Sequence, residues 1–393
     1  MIFGALPPAR SGTADYLEEQ IKGFASQWNV VVVVGDETKP RFRPECVVLN
    51  YSSYQRRRDE FQDAPRLIHL ANNPFHAHAF QESKRPGAVL LLHEFSMHHL
   101  LTETTLAFGD QQGYRQELMD CSPEGELVAD LRNNGIWSGI EPFLFPAIES
   151  RLRVASGVIG HSRWILGQVR SIDTELPAVH IPHHFSPPQS LDRVNCRAMF
   201  GMKDGELAVV SLGFVTPAKC VEQIIRALSE IRSETPPFKY WLFGEMRHPD
   251  TVRRAVKQFG MEDVVVEKGY TSLSTFESAI EASDLVINLR YPTVGETSGT
   301  MTRAMGAGKP VVVFRHGSFS EPPVDAVVGV PLDTFNHGNL ATACRSLLSN
   351  KELRESIGRR ASDWAASVSP IQSTQRQTEF INQCSFKSRR LDK

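Results

Sequence analysis

Residues 288–299 (NLRYPTVGETSG) end an apolar run, turn at Pro292, and place Thr297 or Ser298 to cap a new helix. The first turn of such a helix offers unpaired N–H groups and the positive end of its dipole, which suits a diphosphate. Gly299 removes a side chain where a ligand would approach. The Glu296 carboxylate, just before the cap, can accept hydrogen bonds from sugar hydroxyls. A second segment, residues 211–219 (SLGFVTPAK), also leaves a strand and opens a helix. Gly213 supplies its turn, and Lys219 can reach a phosphate as a compact point charge. Tyr270, in the loop after the run 264–266, joins this donor-side group.

The first half of the chain carries matching loops. Residues 7–16 (PPARSGTADY) form a small-residue loop entering a helix, where Ser11 and Gly12 would let the backbone approach a phosphate or sugar. His93 follows the apolar run 88–92, so a titratable ring sits where a strand ends and can serve as acid, base or hydrogen-bond donor. His161 repeats the pattern after 157–159. Taken singly, each feature has an ordinary alternative: a helix cap with a surface glutamate, a solvated lysine, a turn glycine, a capped loop histidine.

Other chemistries find no support. The pairs His76/His78, His98/His99 and His183/His184 invite a metal reading, but adjacent positions on a helix diverge by about 100° and rarely share an ion; no metal is expected. The six cysteines are scattered singly, without C-x-x-C. No G-x-x-x-x-G-K-[ST] occurs, no Ser-His-Asp arrangement is visible, and no G-x-G-x-x-G follows an early strand, which argues against a P-loop NTPase and a dinucleotide oxidoreductase.

The elements that must position these loops alternate along the chain. Unbroken apolar runs at 30–34, 88–92 and 157–159, together with 178–181 (AVHI), suit parallel strands covered on both faces. Helical patterns at 15–26 and 162–169 lie between them. After the Pro-Pro pause at 187–188 the rhythm restarts, with strands at 207–212, 240–243, 264–266, 285–288 and 311–314. Helices at 221–231, 249–259, 273–282 and 298–305 intervene. The expected fold is α/β, two Rossmann-like doubly wound domains facing across a cleft, with ligands at the carboxyl ends of the strands. The boundaries predicted are 1–185, 190–368 and a helical tail, 369–393, crossing back to the N-terminal domain. Residues 108–140 read as a polar, irregular insertion.

A chain of 393 residues is long enough for two cores. Its formal charge of -2 argues against broad nucleic-acid binding, which needs a basic footprint. The N-terminus lacks a charged region followed by an apolar core, and no run reaches the ~20 apolar residues of a membrane helix. The expected location is cytoplasmic. Peripheral contact with anionic lipid at the inner face of the membrane, through Arg56, Arg57 and Arg58 and the tail residues Lys387, Arg389 and Arg390, is a secondary expectation.

Taken in order, PPARSGTADY, HLANNPFH, LLHEF, GHSRWI, GFVTPAK and NLRYPTVGETSG resemble a bacterial subgroup of the family-4 retaining glycosyltransferases, from about Pro7 to about Val330. The resemblance implies the GT-B fold and transfer of a hexosyl unit, with retention, from a nucleotide-diphosphate sugar to a saccharide or lipid-linked saccharide. It implies no cofactor and no metal. Lys219 would bind the donor diphosphate, the helix starting near Ser298 would supply amides to the distal phosphate, and Glu296 would contact the transferred sugar. Gly12 would lie near the donor phosphates and His93 beside the anomeric carbon; Ser11, Gly12 and His161 would face the acceptor. The chain departs from the family pattern in two places. Phe214 stands where many members carry an arginine, and Arg303 or Ala304 stands where many carry a second glutamate for the ribose. A catalytically silent subunit, or a sugar-nucleotide epimerase or hydrolase of the same fold, is the alternative.

Overall fold

The computed structural model describes all residues except 40, 137–138, 189, 333–336 and 392–393; the side chains of 337 and 386–391 also lie outside the description. The chain divides into two compact units. One comprises Met1–His183, Val294–Thr297 and Pro370–Lys393, the other His184–Thr293 and Ser298–Ser369.

The first unit holds a seven-stranded sheet: β1 (Ile2–Phe3), β2 (Val30–Val34), β3 (Cys46–Asn50), β4 (Leu67–Leu70), β5 (Val89–Leu92), β6 (Gly157–Gly160) and β7 (Ala178–His180). Every pairing is parallel, in the order β3-β2-β1-β4-β5-β6-β7. Successive side chains of a strand point to opposite faces, and both faces here are apolar. On β5, Leu90 and Leu92 join one core while Val89 and Leu91 join the other. That is why the run 88–92 shows no polar alternation. The second unit repeats the plan with β8 (Leu207–Leu212), β9 (Phe238–Phe243), β10 (Val265–Gly269), β11 (Leu285–Ile287), β12 (Val311–Phe314) and β13 (Val328–Val330), ordered β10-β9-β8-β11-β12-β13 and again parallel. Val210 and Leu212 pack on one side, Val209 on the other.

The helices at Val221–Ile231 and Leu273–Ala282 coincide with the predicted spans. Residues 108–140 differ from expectation. Gln111–Cys121 and Gly125–Asn133 are helices, because Tyr114, Leu118, Cys121, Val128 and Ala129 bury one stripe each into the first core. The terminal helix Pro370–Leu391 lies in the first unit, against the helix Gly12–Ala25. Polar residues of its inner face are buried: Gln377 donates to Ser373 Oγ at 3.0 Å and to the Tyr16 hydroxyl at 3.4 Å. The tail cations Lys387, Arg389 and Arg390 lie outside the described side chains. Among the described residues no helix is long and apolar enough to cross a membrane. Two of the three arginines at 56–58 are paired, Arg57 with Glu60 at 2.8 Å and Arg58 with Glu82 at 3.5 Å.

Candidate functional site

In the second unit β8 and β11 are neighbours, and the chain leaves them toward opposite edges: β8 is followed by β9 and β10, β11 by β12 and β13. Loops that diverge this way open a crevice at the carboxyl ends of the strands. The loop after β8 carries Gly213 and Lys219; the loop after β11 leads to Ser298 and Gly299. Gly213 has φ +89°, the left-handed region that disfavours a side chain. A Cβ there would lie 2.9 Å from Lys219 Nζ and 3.8 Å from Thr300 Oγ1. The ammonium and the first turn of the helix Gly299–Gly306 therefore flank the same point.

Lys219 is only 5% exposed, although its sequence context suits a solvated helix start. It closes a single turn, Pro217–Lys219, and its Nζ donates to the Leu212 carbonyl. A buried ammonium needs such a fixed acceptor. The two loops are tied together, since Tyr291 N–H donates to the Ala218 carbonyl at 2.8 Å. Ser298, rather than Thr297, is the cap: its Oγ accepts from Met301 N–H at 3.1 Å and from Asn288 Nδ2 at 3.1 Å. The amides of Gly299 and Thr300 have no intrahelical acceptor, as in any first turn. Tyr270 follows β10 at the sheet edge, two strands from β8, and is 49% exposed.

Thr297 belongs to the first unit, with Val294, Gly295 and Glu296. Its N–H donates to the His93 carbonyl at 3.0 Å, so this amide is committed to the protein rather than to the helix start. Phe95 and Ser96 N–H donate to the Val294 carbonyl at 2.9 and 3.3 Å. Gly295 adopts φ +82°, and the Trp164 ring occupies the place of its missing side chain. The half-buried Glu296 carboxylate turns back to accept from Val294 N–H at 3.0 Å. The predicted residues His93 and Glu296 are thus brought together through one loop contact in the first unit.

Around His93 is a row of rings the sequence reading did not assemble. His69 stands on β4, while His93, His161 and His183 follow β5, β6 and β7 in turn. Tyr16, on the helix after β1, makes ring contacts with four of them, at centroid distances of 6.0 Å (His69), 4.9 Å (His93), 5.1 Å (His161) and 4.8 Å (His183). Burial, then the neighbouring histidines, holds His69 and His93 well below the usual imidazole value. Burial pushes His76 down to about 4. These rings are neutral at ordinary pH.

The hydrogen bonds fix several tautomers. His76 Nδ1 faces the His69 carbonyl at 2.9 Å and must donate, so its Nε2 accepts from the Thr13 hydroxyl at 2.8 Å. The Ser11 hydroxyl then donates to Thr13 Oγ1 at 2.7 Å while its oxygen caps the helix Gly12–Ala25. His161 Nδ1 donates to the Ile181 carbonyl at 2.8 Å. Gly12 is exposed, and a side chain there would meet no protein atom within 4 Å. The fold itself does not demand glycine at this position. Among the described residues no group of three or more His, Cys, Asp or Glu side chains is placed to hold a metal ion.

Residues 193–364, which apart from Val294–Thr297 lie within the second unit, match the family model Glycosyl transferases group 1. An uncharacterized glycosyltransferase of Methanocaldococcus jannaschii is 29% identical over 167 residues, 42% of each chain. A D-inositol 3-phosphate glycosyltransferase of Segniliparus rotundus is 25% identical over 279 residues, 69% of this chain and 56% of the relative. A GDP-mannose-dependent α-(1-6)-phosphatidylinositol monomannoside mannosyltransferase of Mycolicibacterium smegmatis is 26% identical over 178 residues, 44% of this chain and 46% of the relative. The matches span about half the length of these relatives. Among solved structures, Anabaena HepE in complex with UDP and glucose superposes with a TM-score of 0.67 at 16% identity, over 97% of this chain and 98% of that one. WaaG, a glycosyltransferase involved in lipopolysaccharide biosynthesis, superposes with 0.66 at 12% identity over 97% and 98%. The fold is GT-B, built of two Rossmann-like units with parallel sheets.

Proposed function

We propose that this chain is a retaining glycosyltransferase that moves a hexosyl unit from a nucleotide-diphosphate sugar to a hydroxyl of a saccharide or glycolipid. One observation carries the reading: Lys219 Nζ and the first turn of the helix Gly299–Gly306 flank Gly213 at the carboxyl ends of β8 and β11. A cation beside unpaired helix amides is a complement for a pyrophosphate. The group 1 match over residues 193–364 supports the same assignment.

As the glycosidic bond breaks, negative charge grows on the leaving phosphate. Lys219 and the amides of Gly299 and Thr300 are donors fixed before the reaction, so they stabilise that charge without reorganising. Glu296 would accept from hydroxyls of the transferred sugar. His93, neutral and buried, would offer a hydrogen bond without placing a second cation near the developing oxocarbenium centre. The acceptor would meet the first unit near Ser11, Gly12 and His161. Attack from the leaving-group face, with the departing phosphate taking the acceptor proton, gives retention. Lys219 and the helix supply the positive charge, so transfer should persist in excess chelator. Relatives named for inositol phosphate and phosphatidylinositol mannoside substrates make a polyol or glycolipid acceptor the first to try.

A silent-subunit reading draws on the ribose position. Ala304 is buried, and Arg303 pairs with Glu277 at 3.1 Å, so neither replaces the carboxylate of the family pattern. The test presents UDP-, GDP-, ADP- and TDP-sugars singly, follows binding by ligand-observed NMR, and follows product anomeric configuration with and without acceptor. The expected result is one donor bound and an acceptor-dependent product of retained configuration. Acceptor-independent turnover would identify an epimerase or hydrolase. No binding of any nucleoside diphosphate would identify a silent subunit.

A further inference from the structure

We infer that His69 is a positioning residue that holds His93 in the tautomer with its proton on Nδ1. His69 Nδ1 and His93 Nε2 are 3.3 Å apart and hydrogen-bonded. His69 is fully buried, and its Nε2 has no hydrogen-bond partner. Neither ring is cationic, because burial, then the nearby rings of His76 and His161, oppose a charge on either.

Each neutral imidazole carries one proton, so a hydrogen bond between the two nitrogens leaves two arrangements. In one, His69 donates from Nδ1, its Nε2 is a bare lone pair, and His93 carries its proton on Nδ1. In the other, His93 donates from Nε2, and His69 must carry its proton on Nε2, where nothing accepts it. Orphaned buried N–H groups are rarer in proteins than under-used acceptors. The first arrangement therefore wins, because its N–H without a protein acceptor falls on His93, which keeps 7% exposure, and not on the fully buried His69; the structure around His69 reinforces it. The His69 carbonyl accepts from His76 Nδ1–H, itself fixed by Thr13, which anchors the β4 backbone beside the ring. No described residue accepts from His93 Nδ1, which turns the ring into a neutral donor for a ligand oxygen. His69 thus acts on the chemistry only through His93, and its catalytic meaning rests on the transferase reading above.

The test uses the full chain with ¹⁵N-labelled histidine, assigned by loss of the His93 signals in H93Q. Long-range ¹H–¹⁵N correlation should show His93 protonated at Nδ1 and bare at Nε2 in the wild type. His69→Asn keeps an N–H near the Nδ1 position and should preserve both that pattern and turnover. His69→Leu removes the donor and should move the proton to Nε2 or mix the two forms. It should also lower kcat about tenfold to a hundredfold with donor KM little changed, the scale of losing a supporting hydrogen bond. Thermal melting checks that H69L folds. A wild-type His93 protonated at Nε2, or an H69L protein with an unchanged tautomer, overturns the inference. A tautomer that follows His69 in a protein that transfers no sugar supports the assignment and overturns the functional reading instead.

Discussion

At the carboxyl ends of β4 to β7 the polar groups are histidines packed around Tyr16, while at the ends of β8 and β11 they are a lysine, a serine and the start of a helix. Each sheet reverses its strand order once, between β1 and β4 in the first unit and between β8 and β11 in the second, and each set begins at that point, with the histidine row running on from β4 to β7. They differ in how charge is handled. His69, His76 and His93 are desolvated until they are neutral, and fixed acceptors and donors assign the protons of several of these rings. The lysine is buried too, but its ammonium is tied to the Leu212 carbonyl beside amides that only donate. One region is a neutral hydrogen-bonding surface suited to hydroxyls. The other is a positive one suited to phosphate.

The largest effect should come from removing the cation. Lys219→Met keeps the stem and deletes the charge, and transfer should fall by about 10²–10³, the loss typical of one fixed donor to a developing anion. Glu296→Ala should cost at least about tenfold through the sugar rather than the phosphate. Steady-state kinetics and melting curves together check both. Wild-type turnover in a folded K219M protein would erase the distinction between the regions, because the positive one would then have no function.

Much of this was legible beforehand, and the misses have physical causes. The strand 30–34 is an unbroken apolar run, 207–212 is apolar but for Ser211, and both have the bounds expected. Residue type narrows the cap to Thr297 or Ser298, and the structure selects Ser298; Lys219 stands out by its place after a strand. The strand β4 (LIHL) is absent from the expected strands: four residues, one of them His69, are too few to set a period, although AVHI at 178–181, with the same interruption, is read as a strand. With β4 missing, His69 had no position, and the histidine row could not be put together. The strand β1 has two residues, too few for any periodicity. Residues 111–133 looked irregular because their apolar stripes are narrow; Tyr114, Leu118 and Cys121 are spaced for a helix but set among charges. The Thr297 amide, expected at the helix start, goes to His93 instead, a long-range contact with no local signature.

Acid should separate the two regions by an intermediate amount. The folded-state values of His76 and His78 are about 4, below the unfolded imidazole value near 6.5. A group depressed in this way costs nothing above pH 6.5, where both states are neutral. Below that the unfolded chain takes protons the fold refuses, so stability falls as the pH drops from 6.5 toward 4. At pH 5 each of the two should cost on the order of 2 kcal/mol. His69 and His93 act in the same direction. Hydrogen exchange at pH 7 and pH 5 should show protection in β1 to β7 weakening first, with β8 to β13 nearly unaffected. Equal weakening of both sheets would mean that the buried histidines do not set the acid limit of the first unit.

The smallest effect sharpens the positive region by finding its edge. Tyr270 was grouped with the donor residues, yet it follows β10, two strands from β8. Neighbouring strands lie about 4.8 Å apart, so its loop starts roughly 10 Å from Gly213 along the sheet. A diphosphate resting on Lys219 cannot touch a ring at that distance, whereas the nucleoside attached to it can extend that far. Tyr270→Ala should therefore raise donor KM about threefold and leave kcat unchanged, the signature of an interaction made equally in the ground and transition states. The loss should depend on the donor base, since an exposed phenol ring recognises a flat surface rather than a phosphate. A fall in kcat would place the reacting end of the donor nearer β10 and move the phosphate away from Lys219. An unchanged KM for every donor would confine the positive region to the loops after β8 and β11.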